Sequence, residues 1–424
     1  MIMKKYILLI GLLFCFLYQP NAKQNQDSTW VNKGKLVLPD MGELQDRLND
    51  LQFDFDFDTQ DLSNMQMHFD SLGVALAENL GDLKVPGVKF NHNFNFGKDV
   101  SSPKEDKDNR ENKEPTRIEH KSFQNITEIE FFHKYGNIIV QESNSKQVDL
   151  EIRYFDKRNQ KGSATITTTN KLLTISTNST GKSNSDTKID YIISVPKNTL
   201  LNMDIKYGNI KIGKFDGHFN ADLSYSNLRA QSLTTQSPVI KAKYSEVNID
   251  EARDLNISGS YSNFKIKKAN KIDVKGNYNN YYFDNVQILN TGKDSSYGDL
   301  VLGTVGSMEG GLKYADVVIE NLLSGIDIST AYGDVTIKSI SAQAKVINIK
   351  ASYADIAITI PTNLSATFDV RTTYGDFNVS KRYTVKYTES KETNTSVSKK
   401  GQIGTGNPTA NIVVTNSYAD IDIR

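Results

Sequence analysis

The chain has 424 residues, and its 50 Lys and Arg balance its 50 Asp and Glu, so the formal net charge at pH 7 is zero. This balance argues against nucleic acid or an anionic membrane surface as the main partner, because both select a basic excess. Apolar residues make up 38% of the chain, below the roughly 45–50% of a typical globular domain, which favours an extended shape over a compact one.

Residues 1–22 are predicted to be a signal peptide. Two lysines precede a short apolar run from Ile7 to Leu17, and a plausible cleavage site ends at Ala22. The run is too short to remain as a membrane span, and no later run is long enough to be one. Cys15, the only cysteine, leaves with this segment, so we expect no disulfide or thiol chemistry in the mature protein. We expect the product in the periplasm or at the outer cell surface.

The next segment, 23–100, is predicted to be amphipathic and partly helical or disordered. Residues 41–51 have helical spacing of apolar residues, and 62–83 show it more weakly. Between them Phe53–Asp58 alternates Phe with Asp, as an amphipathic edge strand or a partner-docking segment does. Residues 101–117 are almost entirely polar and are predicted to be a charged linker.

From Ile118 to about residue 200 the pattern is typical of β-strands. Thr, Val, Ile and Tyr alternate with polar residues, and polar segments such as NSTGKSNSD separate the alternating runs. This predicts mostly antiparallel strands joined by hairpin loops. We expect the region to form a cap-like start to the repeats that begin near residue 201.

From residue 201 to 424 a tyrosine recurs with a nearly constant period. Starting at Tyr207, successive tyrosines lie 18, 19, 17, 17, 19, 17, 18, 21 and 21 residues apart, and Tyr418 follows Tyr374 after 44 residues. An earlier copy is Tyr135. Such a period predicts an all-β solenoid with rungs of about 18 residues. We expect a parallel β-helix with right-handed winding.

The positions around each tyrosine predict a corner of the rung. The next residue is usually small, and apolar residues stand three and five places after the tyrosine, but four and six places before it. Because inward-facing positions change parity there, the chain must bend at the tyrosine. We expect the rings to tip inward and stack as a structural ladder; an aromatic strip that binds sugar rings is the alternative. The predicted ladder contains Tyr261, Tyr278, Tyr297, Tyr314, Tyr332, Tyr353 and Tyr374.

Two places after the tyrosine lies a column of Asn in the early copies and Asp in the later ones. Both residues favour turns, because their side chains bond nearby backbone donors, and stacked Asn side chains bond one another. The alternative for the later copies is a stripe that binds calcium, which prefers oxygen ligands. Its candidate residues are Asp299, Asp316, Asp334, Asp355 and Asp376.

We predict no catalytic site, no cofactor and no other metal site. The Asp residues follow the repeat, whereas a catalytic site normally interrupts one, and the five histidines have no metal-ligand spacing. An enzyme that cleaves polysaccharides, with Asp334 and Asp355 in its site, remains an alternative.

Near the end of the chain, residues 381–408 are predicted to be an irregular polar excursion. The final strand, NSYADIDIR, would then either offer an edge for pairing with a partner or another copy, or be shielded by the excursion.

The units KYGNIKI, YSNLRA, AYGDVTI and SYADIAI, with the lead-in from Asp190 to Ile210, resemble the bacterial "putative adhesin" β-solenoid family, which is common in Bacteroidota. The resemblance covers about residue 125 to the end, and it implies a β-solenoid in the cell envelope with an adhesive role.

The leading hypothesis is a non-enzymatic binding or adhesion scaffold whose partner is an envelope protein or a glycan. The first alternative is an envelope-stress or assembly component that docks a membrane partner through residues 41–100; the second is the polysaccharide-cleaving enzyme.

Overall fold

The computed structural model describes Val31–Asn32, Lys35–Leu36 and residues 114–156, 162–178, 188–234 and 237–424. The predictions for 1–22, for nearly all of 23–100 and for most of 101–117 lie outside these residues. The chain divides into two compact units, Met1–Glu105 and Asp106–Arg424. In the first unit, Val31–Asn32 and Lys35–Leu36 form a two-stranded antiparallel pair.

All regular structure in the described residues is β-strand, which confirms the predicted all-β class. None of these residues belongs to a helix long and apolar enough to cross a membrane. The strands in chain order are β1 (Val31–Asn32), β2 (Lys35–Leu36), β3 (Arg117–Gln124), β4 (Glu128–Ser143), β5 (Gln147–Phe155), β6 (Ser163–Thr169), β7 (Leu172–Asn178), β8 (Lys188–Pro196), β9 (Leu200–Phe215), β10 (His218–Ser224), β11 (Asn227–Leu233), β12 (Val239–Lys243), β13 (Glu246–Ser260), β14 (Asn263–Asn277), β15 (Asn280–Ser296), β16 (Leu300–Lys313), β17 (Val317–Ala331), β18 (Val335–Ile337), β19 (Val346–Ser352), β20 (Ile356–Ile358), β21 (Ala366–Thr373), β22 (Phe377–Val379), β23 (Val385–Glu392), β24 (Ser396–Ile403), β25 (Ala410–Ser417) and β26 (Ile421–Ile423).

Strands from β9 onward pair mainly in parallel with their equivalents one rung away, which confirms the predicted β-solenoid. β13 pairs with β14 along a whole rung but skips Asp250 and Arg253, and β14 pairs with β15 but skips Lys267 and Asn270. These two breaks and the tyrosine corner divide a rung into three short sides. The right-handed winding stays a prediction.

The interior is filled by apolar side chains from alternate strand positions. In β13, Val247, Ile249, Leu255 and Ile257 are at most 2% exposed. Each of these positions is matched by an apolar residue in the next rung. Full burial of such a side chain contributes about 1.5–3 kcal/mol, so the stacked columns supply the main stabilisation of the solenoid.

Antiparallel strands cover the N-terminal end of the solenoid. β4 carries the first tyrosine corner and pairs in parallel with β9, although 72 residues separate Tyr135 from Tyr207. On its other edge, β4 pairs in parallel with β7 and β8. Antiparallel pairs then extend outward, from β8 to β5 to β3 and from β7 to β6.

The C-terminal end differs from two of the predictions. Residues 381–408 are not an irregular excursion: they contain the hairpin β23–β24, which pairs antiparallel with β21. Of the two alternatives for the last strand, a free edge or a shielded one, the free edge is wrong. β25 lies between β19 and β21, and β26 lies between β20 and β22. The chain therefore passes over one rung position, builds the rung of Tyr374 beyond it, and returns to fill the gap.

Candidate functional site

A ladder of twelve tyrosines runs along one corner of the solenoid. Adjacent rings are 4.5–5.1 Å apart between centroids and 2–13° from parallel. The ladder follows rung order, so Tyr418 stacks between Tyr353 and Tyr374. In rung order, this tyrosine ladder is Tyr135, Tyr207, Tyr225, Tyr244, Tyr261, Tyr278, Tyr297, Tyr314, Tyr332, Tyr353, Tyr418 and Tyr374.

Every tyrosine of the ladder has a left-handed backbone conformation, with φ between 49° and 63°. For a residue with a side chain this conformation costs roughly 1–2 kcal/mol. It turns the chain sharply at one residue, which explains why inward-facing positions change parity there. The cost recurs at every rung, and the stacking of the rings offsets it by about 0.5–1.5 kcal/mol per pair.

The prediction that the rings tip inward is wrong. Ten of the twelve are 39–57% exposed, and Tyr374 at the end of the ladder is the most exposed. Because each ring covers the face of its neighbour, the inner rungs present ring edges and hydroxyls to solvent rather than ring faces. This geometry argues against the alternative in which sugar rings stack on the faces along the strip.

The small residue after each tyrosine faces the interior, and in the middle rungs it carries a polar group that sequence reasoning missed. The backbone N–H of Ser226 donates to Ser245 Oγ at 3.1 Å, and that of Ser245 donates to Ser262 Oγ at 3.1 Å. The N–H of Ser262 donates to Asn279 Oδ1 at 3.0 Å. These side chains are at most 7% exposed, so they satisfy buried backbone donors at the corner. Because each of these polar residues directly follows a tyrosine of the repeat, that position could have identified them from the sequence.

The Asn/Asp column lies beside the ladder and changes its bonding along the solenoid. In the early rungs the amides bond one another, as where Asn227 Nδ2 donates to Asn209 Oδ1 at 3.0 Å. In the later rungs each carboxylate accepts the backbone N–H of the next aspartate: Asp334 N–H donates to Asp316 at 2.8 Å, and Asp355 N–H donates to Asp334 at 2.8 Å. The aspartates therefore tie neighbouring rungs together, whereas the sequence suggested a bond within one turn.

The five residues of the candidate calcium stripe belong to this column, one to a rung, and in rung order Asp420 stands between Asp355 and Asp376. Within the described ranges, no three His, Cys, Asp or Glu side chains converge as a metal site requires. At the start of the stripe, burial and the neighbouring charge of Asp316 raise the pKa of Asp299. Calcium binding by the stripe stays a prediction.

His133 lies in the interior near the N-terminal end, 4% exposed. Its Nδ1 is 2.8 Å from Thr177 Oγ1, which is 2.7 Å from the Tyr191 hydroxyl. Burial lowers the pKa of His133 to about 4, and burial raises that of Tyr191. The histidine is therefore neutral at pH 7 and is part of the core.

The Toastrack DUF4097 family model matches residues 126–424. No curated protein matches the chain. Among solved structures, a putative cell adhesion protein from Clostridium sporogenes is 13% identical, with 73% of this chain and 99% of that one covered and a TM-score of 0.17.

Two further solved structures are similar to this chain over most of their own length. A putative adhesin from Bacteroides fragilis is 14% identical, covering 73% of this chain and 98% of that one, with a TM-score of 0.26. A putative adhesin from Parabacteroides merdae is 13% identical, covering 56% and 97%, with a TM-score of 0.27.

Proposed function

Because the chain belongs to the Toastrack DUF4097 family, we propose that it is an exported, non-enzymatic scaffold of the cell envelope that binds an elongated partner along its tyrosine ladder. The observation that carries this proposal is the continuous exposed ladder itself. Twelve rungs at the usual strand spacing extend over about 50 Å, which suits a polysaccharide chain or an elongated envelope protein.

The ladder is rigid before any partner arrives. Each inner ring is held between two others, and the backbone beneath it is paired on both sides, as where Tyr314 N–H donates to Ala331 O at 2.8 Å. Little side-chain freedom is therefore lost on binding, and ordering side chains is a main cost of association. A fixed row of hydroxyl edges favours a partner rich in hydrogen-bonding groups.

The bonding of the aspartate column supports a non-enzymatic role. Asp334 and Asp355, the residues considered for catalysis, each accept the backbone N–H of an aspartate in the next rung. Both repeat the arrangement of Asp316, so neither departs from the column in the way a catalytic pair is expected to. Their carboxylates serve the stacking of rungs.

Binding of the full mature chain to an array of bacterial polysaccharides and purified envelope proteins tests the proposal. The variant Tyr297→Phe/Tyr314→Phe/Tyr332→Phe keeps the stacked rings and removes three hydroxyls, so we expect weaker binding with an unchanged unfolding midpoint. Tyr282→Phe, on another side of the solenoid and 39% exposed, is the matched control. Absence of binding to every array member, or an equal loss in the control, contradicts the role of the ladder.

Export is tested separately by cell fractionation followed by proteolysis of intact cells. Recovery of the full-length chain in the cytoplasm contradicts it. Degradation by the external protease indicates the outer surface, and protection indicates the periplasm.

A further inference from the structure

A strip of positive charge runs along the side of the tyrosine ladder opposite the Asn/Asp column. It lies one and three residues before each tyrosine, on outward-facing positions of the strand that leads into the corner. Its members are exposed, and we call this set the cationic strip. It consists of Lys206, Lys241, Lys243, Lys275, Lys313, Lys350 and Arg371.

From the rung of Tyr207 onward these cations occupy every second rung; at the N-terminal end Lys134 also precedes Tyr135 and lies 4.9 Å from its ring. In rung order they lead into Tyr207, Tyr244, Tyr278, Tyr314, Tyr353 and Tyr374, the second, fourth, sixth, eighth, tenth and twelfth tyrosines of the ladder. The cations that lead into Tyr353 and Tyr374 are two rungs apart because the rung of Tyr418 lies between them. Lys350 pairs with Thr415, and Thr415 pairs with Arg371. The charges are therefore about 10 Å apart along the axis, two strand spacings.

The rungs between them carry mainly hydroxyl side chains at the same positions, and the exception in the rung of Tyr225 is Asp222, the strand neighbour of Lys241. Lys243 is followed by Ser260, and Lys241 is followed by Ser258 and then Lys275. Further along, Ser296 precedes Lys313, and Ser329 precedes Lys350. The rung of Tyr297 is longer and also contains Lys293 and Asp294, whose side chains lie outside the described set.

Within the described residues most of these lysines form no ion pair, unlike several lysines on other sides of the solenoid. Lys265, Lys267 and Lys268 each form an ion pair at 2.8–3.1 Å. In the described residues no ion pair is formed by Lys241, Lys243, Lys275, Lys313 or Lys350, whereas Lys206 contacts Asp204 at 3.9 Å and Arg371 contacts Asp369 at 3.0 Å. The strip therefore presents charge that is available to a ligand.

At one place in the strip, a rung with serines lies between two rungs with lysines. A groove of about 250 Å³ is lined by Lys241, Lys243 and Lys275, with Ser258 and Ser260 at its floor. Asp222, the strand neighbour of Lys241, also lines the groove. Ammonium and hydroxyl donors of this kind suit a carboxylate or a sulfate.

From these observations we propose that the cationic strip binds a linear acidic polysaccharide with one negative charge on every second sugar. The inference rests on the proposed scaffold function and specifies its ligand. The wide spacing of the cations selects against nucleic acid, in which each strand carries a charge about every 3.4 Å. The acidic column on the other side of the ladder, from Asp299 to Asp376, repels the polymer and keeps it on the strip.

The spacing also keeps the lysines apart from one another, which favours folding whether or not a ligand exists. A binding measurement separates the two roles, because removal of a purely structural charge pattern changes stability and leaves affinity unaltered. The test therefore compares variants with equal change in net charge.

The experiment measures binding of the full mature chain to hyaluronan oligosaccharides, which have one carboxylate per disaccharide, with polygalacturonate, dextran and poly-glutamate as comparisons. We expect hyaluronan to bind most tightly, and binding to weaken as salt rises. The strip variant Lys241→Gln/Lys275→Gln/Lys313→Gln/Lys350→Gln is expected to lose at least tenfold in affinity. The control Lys265→Gln/Lys267→Gln/Lys268→Gln/Lys338→Gln removes the same charge elsewhere and is expected to lose less than twofold.

Equal losses in the two variants, or tighter binding of poly-glutamate than of hyaluronan, overturn the inference. So does absence of hyaluronan binding. If the chain then still binds other members of the polysaccharide and envelope-protein array, the scaffold function stands and only the acidic ligand is rejected; if it binds none of them, both fall.

Discussion

Replacing Tyr314 separates the two opposing contributions at the corner, backbone strain and ring stacking. Its φ is 54°, and its ring stacks on Tyr297 at 4.7 Å and on Tyr332 at 4.9 Å. Two stacks at about 0.5–1.5 kcal/mol each amount to about 1–3 kcal/mol. Tyr314→Ala loses both stacks and keeps the strained backbone, so we expect it to lower the free energy of unfolding by about that amount.

Tyr314→Gly loses the same stacks but relieves the left-handed strain, which is worth roughly 1–2 kcal/mol. We therefore expect the Gly variant to be more stable than the Ala variant by about 1 kcal/mol. In an ordinary strand the order is reversed, because Gly is less favourable than Ala by roughly 0.5–1 kcal/mol. Tyr282, also in a rung but without positive φ, provides that comparison.

Urea unfolding of the four variants measures both differences. Because a solenoid can lose cooperativity between rungs, amide hydrogen exchange in β16 and β17 is followed alongside the global midpoint. Two results refute this account of the corner. One is an Ala variant at position 314 that is as stable as the Gly variant, and the other is the same order of Ala and Gly stability at positions 314 and 282.

Two further predictions concern ionisation. Since the folded pKa of His133 is about 4 and its ordinary value is 6.5, its contribution to stability is complete above pH 6.5 and is lost as pH falls toward 4, by about 3 kcal/mol. His133→Asn should flatten the decline of unfolding midpoints over that range, and an unchanged slope argues against a buried neutral ring. For Asp299 the folded pKa is raised, so its contribution is present at acid pH and is lost as pH rises through the folded pKa. At pH 7 Asp299→Asn should be more stable than the parent by about 1 kcal/mol or less, because it removes a repulsion between neighbouring charges that has about this size in water. The gain should vanish below pH 4. A variant that is less stable than the parent at pH 7 contradicts this.

The sequence by itself determined the rung. The period of the tyrosines, the small residue after each one and the change of parity across it are local features. They predict the corner, the apolar columns and the parallel stacking, because each rung repeats the same contacts with its neighbour. The Asn and Asp column was also visible, since its spacing from the tyrosine is constant.

Only the tertiary structure decided the direction of the rings and the order of the rungs. Parity predicts inward rings at Tyr314 and its equivalents, but a left-handed φ turns the side chain outward, and no pattern in the sequence reports φ. The place of Tyr418 between Tyr353 and Tyr374 depends on strand pairing across 65 and 44 residues, which local periodicity does not encode. That place also sets the alternation of the cationic strip, because in chain order Arg371 would follow Lys350 by one rung rather than two.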